Sequence, residues 1–233
     1  MKFSLIVATL NRRDSLNSLL YSLSKQSYKN FEVIIIDQNQ SGYLDDLIRT
    51  WLSRLNIIHR NVSFKGLSRA RNFGIKISNS NIIAFPDDDC NYEPNTIEKV
   101  FNHFNNNIET EILLCQMIDN SKNIFSRMNQ RNYSYKINSI YDLFMAKATS
   151  NQIFLKSNIL KRVNQDIFDE DMGVGSGTLY GSSEETDLLL RLFRKHSKIL
   201  VHNNIFVFHP TIHPNPRKSY LYGLGRYRLI KKK

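Results

Sequence analysis

The stretch FSLIVATLNRRDSLNSLLYSL, residues 3–23, changes period in the middle. Phe3 to Ala8 is a short apolar run of the kind a buried central strand shows. From Asp14 to Gln26 the leucines fall at 16, 19, 20 and 23, which is helical spacing. The alternation continues outward. Phe31 to Ile36 reads as a second buried strand. Tyr43 to Leu55 is amphipathic, with Leu44, Leu47, Ile48, Trp51 and Leu52 on one side. Ile57 and Ile58 begin a third strand, Leu67 to Ser78 reads as a helix, and Ile82 to Phe85 as a fourth strand. Strands and helices alternating at this spacing predict βαβ units and a mostly parallel sheet flanked by helices, an α/β fold. In such sheets ligands sit beyond the carboxyl ends of the strands, so the polar residues just after each strand are the ones to weigh.

The later chain is less regular. A helix is expected over 94–107, a strand over 111–117, and a loop or lid over 120–139. A strand is expected over 153–155 and a helix over 158–163. Residues 166–181 are acidic and then glycine-rich. Ser183 to His196 forms an amphipathic helix with Leu188, Leu189, Leu192 and Phe193 inward, and Ile205 to Phe208 a late strand. From Pro210 to Lys233 there is no acidic residue, whereas Arg217, Lys218, Arg226, Arg228 and Lys231 to Lys233 are basic. This divides the chain into residues 1–95, 96–210 and a basic, aromatic segment 211–233, with no repeat and no clear linker.

With 233 residues the chain is long enough to bury a sizeable core, and 41% hydrophobic residues with 14 Phe and 11 Tyr exclude wholesale disorder. Cys90 and Cys115 are too few for a disulfide framework and suit a reducing compartment. No window approaches the roughly 18 to 20 apolar residues of a membrane span, and the apolar start lacks a cleavage site and reads as a strand. The net charge of +11 calls for an anionic partner: nucleotide phosphates, nucleic acid or an anionic membrane.

The strongest local feature is Phe85-Pro-Asp87-Asp88-Asp89-Cys90, three carboxylates directly after a buried strand. Like charges this close oppose one another's ionisation. A divalent cation on oxygen ligands, Mg²⁺ or Mn²⁺ shared with phosphates, relieves them, and a solvated acidic turn is the alternative. A second constellation is Gly181-Ser-Ser-Glu184-Glu185-Thr-Asp187, which opens a helix. Carboxylates are favoured there by the backbone N–H groups, and simple capping by Ser183 and Glu184 is the competing reading.

Taken in order, SLIVATLNRRDSLNSLLYSLSKQSY, FEVIIID, KGLSRARNFGI, NIIAFPDDDC, GSSEETDLLLRL and VFHP resemble the family-2 glycosyltransferases of the GT-A fold, over most of the chain to about residue 210. The resemblance implies a nucleotide-sugar donor, UDP-linked by preference, and inversion at the sugar by direct displacement. It implies nucleotide binding by Thr9, Asn11, Arg12, Asp37, Asn39, Lys65, Gly66, Arg71, Asp87 and Asp88. After Asp37 the chain reads Gln38-Asn39-Gln40 where the family usually continues with an acidic residue, Gly and Ser; Asn and Gln can also read a base edge. The resemblance further implies a metal on Asp87 and Asp89 with His209, His213 being the fallback. Glu185 stands where the family's base is usually Asp, and Glu184 beside it on the acceptor side. Arg191-Leu-Phe-Arg194 is followed by Lys195, not by the Trp of processive synthases, so transfer of single sugars is expected. The implied acceptor is a saccharide or lipid-linked saccharide in bacterial surface-polysaccharide synthesis. The implied location is cytoplasmic, with the basic tail resting on an anionic membrane surface or folding over the diphosphate.

Three rivals remain. A sugar nucleotidyltransferase would carry a Gly-rich phosphate loop early, and Thr9 to Asp14 has no Gly. A basic nucleic-acid-binding module would show a zinc, RNP or helix-turn-helix signature, and none is present. A non-catalytic GT-A partner subunit stays open to test.

Overall fold

The computed structural model describes residues 1–119, 134–163, 166–210 and 215–232. The alternation resolves into β1 (Phe3–Thr9), α1 (Arg13–Ser24), β2 (Phe31–Asp37), α2 (Asp45–Trp51), β3 (Ile57–Asn61), α3 (Leu67–Ile77) and β4 (Ile82–Ala84). β1 lies parallel between β2 and β4, and β3 is parallel to β2. Every residue of β2 is buried, because helices cover both faces of the sheet. Side chains leave a strand to alternate faces. Phe3, Leu5, Val7, Val33 and Ile35 therefore enter one core with the leucines of α1 and with Trp51. Ile6, Ile34 and Ile36 enter the opposite core with Ala70 of α3.

The remaining elements are β5 (Asn91–Tyr92), α4 (Thr96–Asn106), β6 (Ile112–Ile118), β7 (Tyr135–Lys136), α5 (Ile140–Ala146), β8 (Ile153–Lys156), α6 (Glu184–Arg194), β9 (Ile199–Phe208) and α7 (Pro216–Lys231). Among the described residues the strands form one sheet in the order β3-β2-β1-β4-β8-β6-β9-β5, with β7 on β9. β8 is antiparallel to both β4 and β6 and joins the parallel β3-β2-β1-β4 half to the parallel β6–β9 pair. The sheet is thus mixed α/β, with its longest ladders parallel.

Three expectations need correction. β9 begins at Ile199 rather than Ile205: His202-Asn203-Asn204 breaks the apolar run, and a register shift against β6 at Cys115/Gln116 absorbs it. Ser157–Arg162 winds as a 3₁₀ turn instead of an α-helix. Of the expected loop or lid over 120–139, residues 120–133 lie outside the described residues, while Tyr135–Lys136 pairs with β9 and a capped helix, α5, follows. The basic tail, Pro216–Lys231, is the helix α7. Gly225 lets it lie directly on the loop before α6, since a Cβ there would come within 2.4 Å of the Ser182 carbonyl oxygen. Gly181 N–H donates to Leu221 O (3.1 Å) and Ser182 Oγ to Tyr222 O (3.0 Å). Arg228 reaches Asp169 and Asp171, and Lys232 reaches Asp169 and Asp187. These carboxylates lie 45 to 63 residues earlier, so no local pattern announces the pairing.

Candidate active site

β4 ends in the core with Phe85, and the chain turns at Pro86 into the three aspartates. Asp88 points back into the sheet. Its Oδ2 accepts from Thr9 Oγ1 at the end of β1 (2.8 Å), and its Oδ1 from Arg12 Nη1 (3.0 Å). Burial pushes the Asp88 carboxyl up, against the opposing effect of those two donors. The same Arg12 guanidinium donates to Asp89 Oδ2 at 2.5 Å. β5 pairs with β9 just after the acidic turn, with Asn91 opposite Phe208, and this register sets His209 against the aspartates. Its Nε2 lies 3.1 Å from Asp89 Oδ1 and 3.7 Å from Asp87 Oδ2. Burial would raise the Asp89 carboxyl, but His209 and Arg12 together hold it at about 2. Burial depresses the His209 imidazole, yet Asp89 and then Asp87 bring it above its ordinary value.

Ligand atoms of Asp87, Asp89, Cys90 and His209 all lie within 4.8 Å of one another, a set that can hold a metal ion. Asp89 Oδ1 is buried without a hydrogen-bond partner, His209 standing close but out of line. Two carboxylate oxygens and an imidazole suit a hard-to-borderline divalent cation such as Mg²⁺ or Mn²⁺. Cys90 is fully buried and burial raises its thiol well above the ordinary range, so it supplies no ready thiolate. His213 lies outside the described residues.

Arg71 on α3 ties this cluster to the second constellation. It is 2% exposed. Nη2 donates to Asp87 Oδ1 (2.9 Å) and Ser150 Oγ (2.6 Å), and Nη1 to Glu184 Oε1 (3.1 Å). Glu184 therefore pairs with a guanidinium rather than capping α6, and Ser183 makes no side-chain cap either. The Glu184 carboxylate is backed by Gly173, where a Cβ would come within 2.9 Å of it. Glu185 follows on the first turn of α6 and is half-buried. Desolvation first, and the Glu184 charge second, push its carboxyl well above the ordinary range.

The ends of β1, β2 and β3 form a second corner. Asp37, buried at the end of β2, accepts at Oδ1 from Asn39 N (2.9 Å) and Nδ2 (2.7 Å), while Oδ2 faces His59 Nε2 of β3 at 3.0 Å. Burial would raise Asp37; His59 and the Asn39 donors hold it below its ordinary value. Asn39 Oδ1 accepts from Asn11 N (2.6 Å), and Asn11 adopts φ +58°. Lys65 Nζ donates to the Gln38 carbonyl. Gly66 adopts φ +118° at the start of α3, a conformation side chains avoid, and packs on the Gly175 backbone.

Every residue singled out in the sequence, other than His213, thus lies at the carboxyl ends of β1 to β4, at the start of α3 and α6, or at the end of β9. Ser150 and Asn151 were missed. Asn151 Nδ2 donates to Asp87 Oδ2 at 3.3 Å. They sit in a 3₁₀ turn before β8, more than 60 residues from their partners, with no periodic signal around them. His59 was missed because it reads as one residue of an ordinary edge strand.

A mixed α/β sheet with an acidic turn after its fourth strand, bridged by a buried arginine to a carboxylate pair opening a helix, defines the GT-A class. Within that class the chain belongs to glycosyl transferase family 2, whose model matches residues 4–170. It is 35% identical over 86 residues to the Escherichia coli UDP-Glc:alpha-D-GlcNAc-diphosphoundecaprenol beta-1,3-glucosyltransferase WfaP, covering 37% of this chain and 34% of that protein. It is 30% identical over 120 residues to an uncharacterized glycosyltransferase of Haemophilus influenzae, covering 50% and 40%. The matches thus span well under half the length of these curated relatives. Among solved structures, Staphylococcus aureus TarS 1–349 in complex with UDP-GlcNAc superposes with a TM-score of 0.70 at 21% identity, covering 94% of this chain and 61% of that one. The mannosyltransferase PcManGT of Pyrobaculum calidifontis, in complex with GDP-Man and Mn²⁺, gives 0.71 at 12%, covering 100% and 65%. These likenesses establish the fold.

Proposed function

We propose that the chain is a metal-dependent, inverting glycosyltransferase that moves one sugar from a nucleotide sugar, a UDP-sugar, to a hydroxyl of a saccharide or lipid-linked saccharide. The observation that carries this reading is Arg71, a buried cation whose one guanidinium reaches both Asp87 and Glu184. It holds the acidic turn and the start of α6 to one cleft, so that a diphosphate and an acceptor can meet there. Asp37, Asn39, Asn11 and Lys65 would surround the nucleoside, with Thr9, Arg12 and Asp88 next to the ribose and phosphates. Asp87, Asp89 and His209 would hold Mn²⁺ or Mg²⁺, which when bound supplies Lewis-acid neutralisation of the diphosphate.

Glu185 takes the proton of the acceptor hydroxyl as its oxygen forms the new bond to the anomeric carbon. The bond from that carbon to the diphosphate oxygen breaks, and its electron pair leaves with the nucleoside diphosphate. The transition state is oxocarbenium-like, and attack opposite the leaving group inverts the centre. A base must be ionised to act, and a carboxyl raised toward neutrality is stronger than an ordinary one. Glu184, charged and held by Arg71, keeps that value up and lines the acceptor side.

The named relatives favour surface-polysaccharide chemistry: WfaP acts on a diphosphoundecaprenol-linked sugar, and TarS of Staphylococcus aureus is a poly(ribitol-phosphate) beta-N-acetylglucosaminyltransferase. α7 exposes Tyr220, Tyr227 and Ile230 among Arg217, Arg226 and Lys231, a basic, aromatic face suited to anionic lipid. No helix among the described residues is long and apolar enough to cross a membrane.

The test is calorimetric titration of UDP with and without Mn²⁺, followed by UDP release from a panel of UDP-sugars. Wild-type protein binds UDP more tightly with Mn²⁺, and Asp89→Ala removes the metal-dependent part. Equal affinity with and without metal would count against the metal role, and absence of UDP release with every donor would favour the partner-subunit reading.

A further inference from the structure

The turn at Ser150–Gln152 reaches the acidic cluster from outside the motifs that define the site. β8 follows it and runs antiparallel to β4, with Phe154 opposite Ala84, so the turn arrives beside the aspartates that follow β4. It is fastened independently of them. Thr149 N donates to Gln152 Oε1 (2.9 Å), and Gln152 Nε2 to the Cys115 carbonyl of β6 (2.7 Å). Asn151 is 1% exposed. Its Oδ1 accepts from Thr149 Oγ1 at 2.7 Å, which leaves the amide nitrogen to face Asp87, and Nδ2 donates to Asp87 Oδ2 at 3.3 Å. Ser150 Oγ accepts from Arg71 Nη2 (2.6 Å) and donates to Asp87 Oδ1 across 3.4 Å. The two Asp87 oxygens therefore meet different partners. Oδ1 takes Arg71 at 2.9 Å; Oδ2 takes Asn151 and stands 3.7 Å from His209. A guanidinium readily closes on a carboxylate as a two-bond fork, which would claim both oxygens. Here one bond of that fork is made, and Asn151 occupies the second oxygen.

We propose that Asn151, assisted by Ser150, is a positioning residue for the metal site: it keeps Asp87 Oδ2 out of an Arg71 fork and available on the side of His209. The assignment rests on the metal-dependent reading above and adds to it two residues outside the acidic turn. Hydrogen-bond partners of a ligating carboxylate fix its orientation, and losing one weakens the hold on the metal. Asp89 Oδ1 has no hydrogen-bond partner to compete with a cation, whereas Asp87 is shared with a buried guanidinium and has to be kept from it. Ser150 draws on the same Nη2 that reaches Asp87. The bonds of Asn151 to Thr149, Asp87 and the Met117 sulfur (3.9 Å) include none to the Asp37 corner, so nucleotide binding without metal does not depend on it.

The experiment titrates UDP in Mn²⁺ and in EDTA, and Mn²⁺ itself by its electron paramagnetic resonance signal, on wild type, Asn151→Leu and Asn151→Ala. Leucine is close to the amide in size, and Thr149 Oγ1 keeps Gln152 Oε1 at 3.0 Å, so the turn is left with no orphaned hydroxyl. Alanine carries the same test without any added bulk. Both variants should weaken Mn²⁺ about ten- to hundredfold and leave UDP affinity in EDTA within about twofold. UDP affinity in Mn²⁺ should fall toward the EDTA value. Ser150→Ala should shift Mn²⁺ affinity in the same direction by less. Mn²⁺ affinity equal to wild type in the Asn151 variants would overturn the assignment. So would an equal loss of UDP affinity in Mn²⁺ and in EDTA, the mark of general damage to the fold. A wild type that binds UDP equally well in Mn²⁺ and in EDTA would instead overturn the metal-dependent reading itself, and this assignment with it.

Discussion

The two halves of the sheet are held by different forces. Residues 3–84 order their strands by burial alone: β1 and β2 carry fourteen positions of which all but Ala8 are buried, and neighbouring helices seal both faces. Beyond β4 polar contacts between distant residues join burial in fixing the geometry. Asn72 of α3 donates to Phe168 O and accepts from Phe168 N, Arg191 reaches Asp187 and the carbonyl of Ile167, and Arg228 and Lys232 pin α7 to three aspartates. Under the proposed function the first half would present the nucleotide site, while the second presents a surface whose shape depends on individual ion pairs and on the glycines at 173, 175 and 177, all with positive φ.

The largest expected effect falls where the halves meet. Glu185→Gln should lower kcat by about a thousandfold, the scale of a lost general base, and leave UDP affinity unchanged. It should also leave the fold as stable or more so. Burial and Glu184 raise the Glu185 carboxyl, so the folded state binds its proton more tightly than the unfolded chain. Its contribution to stability then declines as pH rises above the ordinary carboxyl value, and the amide abolishes that decline. Melting curves at pH 7 beside UDP-release rates check both; undiminished transfer would remove Glu185 from the mechanism.

The same contrast explains what could be read from residues alone. β1 to β4 were legible because burial on both faces writes continuous apolar runs, and because Leu16, Leu19, Leu20 and Leu23 repeat at helical spacing in α1. Asp87 to Asp89, Glu184 and Glu185 were legible because a cluster of charge after a strand or before a helix is local. His209 stood out only through its place at a strand end. What failed was long-range and polar: Ser150 and Asn151 on Asp87, His59 on Asp37, and α7, whose basic residues look solvent-facing until Asp169, Asp171 and Asp187 are placed opposite them. The short apolar content of α5, bounded by a Ser139–Asp142 capping box, was likewise hidden inside a polar stretch.

Acid should separate the halves. His103 of α4 is 9% exposed, meets His202 of β9 edge-to-face at 5.4 Å, and is brought down to about 4 by burial and by His202. His202 is lowered as well, by burial and by Lys99. A base whose folded value lies below its unfolded one stabilises the fold fully above the unfolded value, and that contribution is lost as pH falls toward the folded one. Between pH 6.5 and about 4.5 the β6–β9 region should lose on the order of 2 kcal/mol through this histidine pair. Hydrogen-exchange protection, measured relative to the intrinsic amide rate at each pH, should fall from pH 7 to pH 5 in α4 and β9 and stay constant in β1 and β2. His103→Gln should flatten the dependence. Uniform loss of protection across the sheet would show that the halves unfold as one unit.

The smallest effect isolates α7. Arg228 places one guanidinium on Asp169 at 3.0 Å and Asp171 at 2.9 Å, and stacks over the Tyr180 ring at 4.7 Å. Asp171 is largely exposed, so its share is screened; Asp169 is mostly covered. Removing the guanidinium with Arg228→Ala should cost about 1 kcal/mol, or about 2 to 4 °C of melting temperature in a chain of this size. Raising the salt concentration should narrow the gap from wild type, since part of the loss is Coulombic. UDP affinity should not move, because none of these contacts touches β1 to β4. The acceptor KM should rise, because the 180–182 segment that α7 braces leads directly into Glu184 and Glu185. A drop in UDP affinity as large as the rise in acceptor KM would mean that α7 supports the donor half as well, and the division drawn between the two would fail.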